Sequence, residues 1–181
     1  MATYKTFLAT GLMAACILTG ACRGKHQRTT VENEEPAEAT PRFASALKMN
    51  DPAAPTQLVK GFYGLESGTW RWTAGHISVM LRSPLAAAQH GATLTFNLTV
   101  PDVVIQKLGS VTLSSSVGTA KLKSETYSKP GAYTFTADVP AEQLSKETVI
   151  VDFALDKALP PGAADQRELG IIATSVALES K

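Results

Sequence analysis

The residues best suited to contact a ligand lie in one aromatic stretch, residues 61–73. It contains both tryptophans of the chain, Trp70 and Trp72, on either side of Arg71. Alternate side chains of a β-strand project from opposite faces, so the two tryptophans share a face and Arg71 lies on the other. Paired aromatic rings suit the apolar faces of a sugar, while polar neighbours bind its hydroxyls. We predict that Trp70, Arg71 and Trp72 bind a ligand; the alternative is that one or both rings fill the core.

A second polar cluster, residues 164–170, immediately precedes the last predicted strand. Its most versatile side chain is Arg167, whose planar guanidinium makes bidentate contacts to a carboxylate or to neighbouring hydroxyls. We therefore predict Arg167 as a further ligand-binding residue. The alternative is that Arg167 clamps this loop onto the domain by pairing with Glu66, Asp165 or Asp152.

The sequence contains no pattern typical of an enzyme. His26, His76 and His90 lack the spacing of metal ligands, and no Gly-x-Ser-x-Gly turn or phosphate-binding glycine loop is present. Asp152 and Asp156 are four positions apart, about 13 Å along a strand. Glycosidase carboxyl groups lie about 5–9.5 Å apart, so this pair does not fit. We predict a non-catalytic protein with no metal and no cofactor.

The elements that carry these residues are predicted to be strands. In residues 93–100, Leu94, Phe96, Leu98 and Val100 alternate with polar residues, which indicates a strand with one packed face and one solvated face. The same alternation predicts strands at 77–82, 111–113, 133–135, 149–155 and 172–178, and proline- and glycine-containing turns separate them. Short helical turns are predicted at 103–108 and 140–144, each beginning after or at a proline.

Seven or more short strands with one apolar face predict an all-β fold for residues 43–181. The expected architecture is a two-sheet, largely antiparallel β-sandwich of jelly-roll or immunoglobulin-like type, with short helical turns. Antiparallel pairing is expected because the sequence offers no helices to cover parallel crossovers. A closed barrel is the alternative.

The N-terminus has the layout of a secretory signal. Residues 7–18 are apolar but too short to span a bilayer, which needs roughly 20 residues, and their length suits a signal core of about 7–15 residues. Residues 18–22, Leu-Thr-Gly-Ala-Cys, resemble the lipobox of bacterial lipoproteins, although Thr19 occupies the position where Leu is usual. The resemblance implies cleavage after residue 21 and acylation, including palmitate, of Cys22. The alternatives are a second box ending at Cys16 and an ordinary signal peptide cut near Ala21.

Residues 22–42 are predicted to be a disordered tether. They are basic at first and then acidic, contain Pro36 and Pro41, and offer too little apolar surface to offset the entropy of ordering. By resemblance to a sorting rule of some Gram-negative bacteria, Arg23 after the cysteine favours the outer membrane. Across the chain, 17 basic residues balance 16 acidic ones. This balance makes a nucleic-acid partner unexpected, because such proteins need a basic surface.

The folded region resembles β-sandwich accessory modules that accompany bacterial glycosyltransferases and methyltransferases of surface-polysaccharide pathways. The similarity covers roughly residues 58–179. It rests on Gly-Phe-Tyr at 61–63, Trp-Arg-Trp-Thr at 70–73, Val-Pro-Ala at 139–141 and Asp-Gln-Arg-Glu-Leu-Gly at 165–170. The resemblance implies a carbohydrate-related role. This chain has a lipid signal in place of an attached enzyme, which argues against a biosynthetic role inside the cell.

The combined prediction is a non-catalytic lipoprotein of the cell envelope, anchored in the lipid bilayer through acylated Cys22. Its folded domain is expected to bind glycan or polysaccharide through Trp70, Arg71, Trp72 and Arg167. The alternative is a structural or protein–protein interaction module of the envelope with no sugar ligand, which would use a sheet face or edge.

Overall fold

The computed structural model describes residues 43–181. The predicted signal peptide (1–21), the predicted tether (22–42) and the acylation site at Cys22 lie outside the described residues. Within 43–181 the strands are β1 (Ala46–Lys48), β2 (Leu58–Glu66), β3 (Trp70–Arg82), β4 (Ala92–Val100), β5 (Val111–Val117), β6 (Ala120–Tyr127), β7 (Gly131–Val139), β8 (Thr148–Leu155) and β9 (Ile172–Ser180). The helices are α1 (Ala87–His90) and α2 (Asp102–Leu108), with single 3₁₀ turns at Ala54–Thr56 and Ala141–Leu144.

The long strand β3 belongs to both layers of the sandwich. Its residues 76–82 pair with β8, and the strand order continues through β5 to β6. Its residues 71 and 72 pair with β9, which also pairs with β4 and β1, and β4 pairs with β7. Strand β2 covers the other edge of β3. Every one of these pairings is antiparallel, as predicted.

The two layers pack face to face through aromatic side chains. Phe153 on β8 lies 4.6 Å from Phe96 on β4 and 6.2 Å from Phe135 on β7, measured between ring centroids. All three rings are fully buried. Because β8 belongs to one layer and β4 and β7 to the other, these contacts form the centre of a two-layer β-sandwich, and the predicted fold class is confirmed.

Strand β4 shows how the sequence pattern directs the packing. Leu94, Phe96, Leu98 and Val100 point into the core, as their alternation predicts. The opposite face is half-buried rather than solvated, because β4 is a central strand between β7 and β9. There Asn97 donates to the Ser175 hydroxyl at 2.9 Å and accepts from the Thr134 hydroxyl at 2.8 Å. The polar residues of β4 therefore join three strands through side-chain hydrogen bonds.

Candidate functional site

The β2–β3 hairpin presents the two tryptophans. Glu66 ends β2 and pairs with Trp70, the first residue of β3. The intervening turn contains Ser67 and Gly68 in the left-handed region, and the Thr69 amide donates to the Glu66 carbonyl at 3.1 Å. Left-handed conformations are easily adopted by glycine, which suits Gly68 to this turn. Because Glu66 and Trp70 are register partners, their side chains project from the same face of the hairpin.

Trp70 and Trp72 form an edge-to-face pair. Their ring centroids are 6.4 Å apart and their planes meet at 79°. Both side chains are half-buried, and Trp72 also packs against the core. They lie on the side of β3 opposite its buried residues Thr73, Ile77 and Val79. Neither ring is wholly enclosed, so part of each remains accessible to a ligand.

Arg71 has a structural role on the opposite face. Its register partners are Leu65 and Ala173. Its Nε donates to the Met49 carbonyl at 3.1 Å, and its Nη1 donates to the Tyr63 carbonyl at 2.9 Å. The structure therefore does not bring Arg71 together with the two tryptophans, and two of its donors are occupied by main-chain carbonyls.

Arg167 is the centre of a charged cluster with Asp165, Glu66 and Tyr63. Its Nε and Nη2 donate to the two carboxylate oxygens of Asp165 at 3.0 and 2.8 Å. Its Nη1 donates to Glu66 Oε1 at 2.9 Å, and its guanidinium carbon lies 5.1 Å from the centroid of the Tyr63 ring. Two of the three partners considered from the sequence are thus found. The third, Asp152, instead accepts a hydrogen bond from Ser78.

Mutual hydrogen bonding stabilises the charged forms in this cluster. The side-chain and main-chain bonds from Arg167 lower the pKa of Asp165. Hydrogen bonds to Asp165, and then to Glu66, raise the pKa of Arg167. One cation faces two carboxylates, and this leaves oxygen lone pairs free to accept hydrogen bonds from a ligand.

The same cluster fixes the loop between β8 and β9 onto the hairpin. The Tyr63 hydroxyl donates to the Glu168 carbonyl at 2.8 Å, and Glu168 Oε2 accepts from the Gly75 amide at 3.3 Å. Thr73, fully buried, exchanges hydrogen bonds with the main chain of Ile171. The clamp considered for Arg167, which holds this loop on the domain, is therefore present. Glu66 contacts Arg167 and is the register partner of Trp70, so Arg167 is close to the start of β3.

A second candidate site, which sequence reasoning missed, lies on the outer face of the β2–β3–β8–β5–β6 layer. It is a cleft of about 510 Å³, floored by Ser78, Ser114, Ser116 and Ala154. An adjoining cleft of about 690 Å³ shares Ser78 and Asp152 with it. The sequence signal was the run of serines at 114–116. The sequence alone does not show that these serines line a cleft, because that depends on which strands are neighbours in the sheet.

No metal site is found within residues 43–181: no three His, Cys, Asp or Glu side chains lie close enough together there to hold an ion. His76 is exposed on β3, and Asp156 Oδ1 accepts from the Thr112 amide at 2.6 Å. In the same part of the chain, no helix is long and apolar enough to cross a membrane.

Comparison with known proteins shows similarity in structure but none in sequence. No protein-family model matches the chain, and no curated protein matches its sequence. A solved structure described as "CBM4 structure and function", a carbohydrate-binding module, superposes with a TM-score of 0.36 and 12% identity. The superposition covers 75% of this chain and 85% of the other.

Proposed function

We propose that the domain is a non-catalytic glycan-binding module whose site is the outer face of the β2–β3 hairpin. The observation that carries the proposal is the accessible Trp70–Trp72 pair. Two rings at nearly a right angle form a corner rather than a flat platform. A corner can contact two sides of one sugar residue through its C–H groups, which suits a single residue or a chain end better than a long flat chain.

The charged cluster supplies the polar half of such a site. Glu66 shares the hairpin face with Trp70, and Arg167 joins Glu66 to Asp165 and Tyr63. These side chains are already held by one another, so a ligand would not bear the entropy of ordering them. Carboxylate oxygens accept hydrogen bonds from sugar hydroxyls. In this proposal Arg167 positions the carboxylates, and Arg71 holds the hairpin without contacting the ligand.

The decisive experiment compares the full chain, purified in detergent, with the W70A/W72A double variant on a broad glycan panel. We expect binding to fall below detection in the variant, because each ring supplies apolar contact that no neighbour replaces. Circular dichroism should show the same strand content in both proteins. The matched control is Leu65→Ala, which removes an exposed apolar side chain from the same hairpin at the register position of Arg71.

The two possible failures have different meanings. Glycan binding that survives in the double variant would exclude the tryptophan corner as the site. If the wild-type chain binds no glycan at all, the module is instead an envelope interaction domain. Crosslinking from intact cells would then identify its protein partner.

We further propose that this domain is held at a membrane of the cell envelope by a lipid on Cys22. The support is the sequence Leu-Thr-Gly-Ala-Cys after an apolar segment. In a bacterium that exports lipoproteins, labelled palmitate should be incorporated into the wild-type chain, and Cys22→Ser should abolish the label. Cys16→Ser is the matched control and should retain it. Label that persists in Cys22→Ser but disappears in Cys16→Ser would move the anchor to the earlier cysteine.

A further inference from the structure

The serine-floored cleft on the outer face of the β2–β3–β8–β5–β6 layer has positive walls. Strand register places one row of residues across all five strands: Lys60, Ser78, Asp152, Ser116 and Lys121. Neighbouring strands are about 4.8 Å apart, so the two lysine Cα atoms are separated by roughly 19 Å. Short side chains in the middle and long ones at both ends make this surface a trough.

The trough has an excess of free positive charge. Of the four ion pairs found within residues 43–181, none involves Lys60 or Lys121. A third lysine at the cleft, Lys123, is neutralised by Glu125 at 2.8 Å. Among the described residues lining this cleft, Asp152 is the single carboxylate, and it already accepts a hydrogen bond from Ser78. An anionic ligand would therefore be attracted to both walls.

The chemistry of the floor favours a saccharide over a peptide. The floor offers serine hydroxyls and one carboxylate, groups that hydrogen-bond sugar hydroxyls. It lies on a sheet face, where the main-chain groups of β3, β8 and β5 are already paired with neighbouring strands. A peptide thus cannot add as a further strand there, which is the usual way in which a sheet binds an extended peptide.

The adjoining cleft extends the trough along the strands. It begins at the shared residues Ser78 and Asp152 and continues past Met80, Ile150 and Val59. Ile150 and Val59 are 42% and 52% exposed, unusually accessible for large apolar side chains, and can pack against the C–H faces of sugar rings. Each of the two clefts has a volume within the range of about 300–1,000 Å³ typical of ligand sites.

We propose that this trough binds an extended stretch of acidic polysaccharide, a chain with carboxylate-bearing sugars, between Lys60 and Lys121. The proposal rests on the proposed glycan-binding function and adds the ligand class and a subsite separate from the tryptophan corner. Trp72 and His76 are about 13 Å apart along β3, which passes from the β9 layer to the β8 layer between them. The trough therefore binds its ligand independently of the tryptophan corner.

The test is calorimetric titration of the full chain in detergent with a panel of uronic-acid hexamers, each beside its carboxyl-reduced neutral counterpart. We expect the wild-type chain to prefer an acidic hexamer and to lose that preference at high salt. K60Q/K121Q should weaken acidic binding roughly tenfold and so remove the preference for the acidic hexamer over its neutral counterpart. The control K107Q/K129Q removes the same charge from α2 and the β6–β7 connection, away from the trough, and should bind as the wild type does.

The variants separate this proposal from the proposed function. A loss of acidic binding in K60Q/K121Q that W70A/W72A does not reproduce supports the trough, even if the tryptophan corner fails. Binding abolished by W70A/W72A and untouched by K60Q/K121Q overturns the trough and leaves the corner. The trough is also overturned if no uronic-acid hexamer binds, or if a glutamate hexapeptide binds as tightly with the same dependence on Lys60 and Lys121.

Discussion

The free energy of unfolding should fall by about 3–5 kcal/mol when Phe153 is replaced by alanine. The Phe153 side chain is 1% exposed and contacts Phe96 and Phe135 of the facing layer. Removing its ring leaves a cavity between two sheets that cannot close without bending both. Urea unfolding followed by tryptophan fluorescence measures the change.

Ile150→Ala is the matched control for this experiment. Ile150 lies on the same strand, β8, but on its outer face and is 42% exposed. Its truncation should lower the free energy of unfolding by less than about 1 kcal/mol, because much of this side chain is already in water and its loss removes little buried apolar area. Equal losses in Phe153→Ala and Ile150→Ala would contradict the face-to-face packing of the two layers.

The sequence predicted the central strands because these strands bury one face completely. In β4 and β8, apolar side chains occupy alternate positions throughout, and the same positions are buried in the structure. The predicted helical turns also agree with α2 and with the 3₁₀ turn Ala141–Leu144. In both, a proline (Pro101 or Pro140) is the N-cap residue with an extended backbone, so the strand-like chain ends there and the helical turn begins at the next residue.

Strand β6 was not predicted from the sequence, because it lies at the edge of its layer. In β6 (Ala120–Tyr127), only Tyr127 is fully buried, and most of its other side chains are polar or charged. An edge strand packs against little, so its residues need not alternate in polarity. The one-turn helix α1 was also missed, since Ala-Ala-Gln-His is too short to show a helical period.

At the hairpin site, the sequence could predict the tryptophan pair but not the ion pair of Arg167. Trp70 and Trp72 are two positions apart, so strand geometry alone put them on one face. Arg167 and Glu66 are 101 positions apart, and opposite charge made them one of several plausible pairs. Only the docking of the loop between β8 and β9 onto β2 and β3 selects Glu66 and excludes Asp152.

The trough could not be predicted because its row of residues comes from five strands that are not consecutive in the chain. Lys60 and Lys121 become opposite walls only through the order β2–β3–β8–β5–β6 and the register of each pair. A shift of one residue in any pair would turn one of these side chains to the other face. The charge pattern of the site is therefore a property of topology rather than of local sequence.

The Gly61→Ala substitution should reduce the free energy of unfolding by about 2–4 kcal/mol. Gly61 lies on β2 with a backbone φ of +75°, a conformation that alanine adopts only with strain. A Cβ atom there would also collide with the His76 carbonyl and approach Ile77 Cγ2 to 2.7 Å. Strand β2 must then move away from β3, and Glu66 would move with it.

Gly64→Ala isolates this effect within the same strand. Gly64 has no positive φ, and a Cβ atom there meets nothing within 4 Å, so its replacement should change stability by less than about 0.5 kcal/mol. Because Gly61→Ala displaces the strand that carries Tyr63 and Glu66, it should also weaken glycan binding at the tryptophan corner and alter the near-ultraviolet circular dichroism of the tryptophans. If Gly61→Ala is as stable as Gly64→Ala, β2 does not pack on β3 in this register, and the shared face of Glu66 and Trp70 would have to be abandoned.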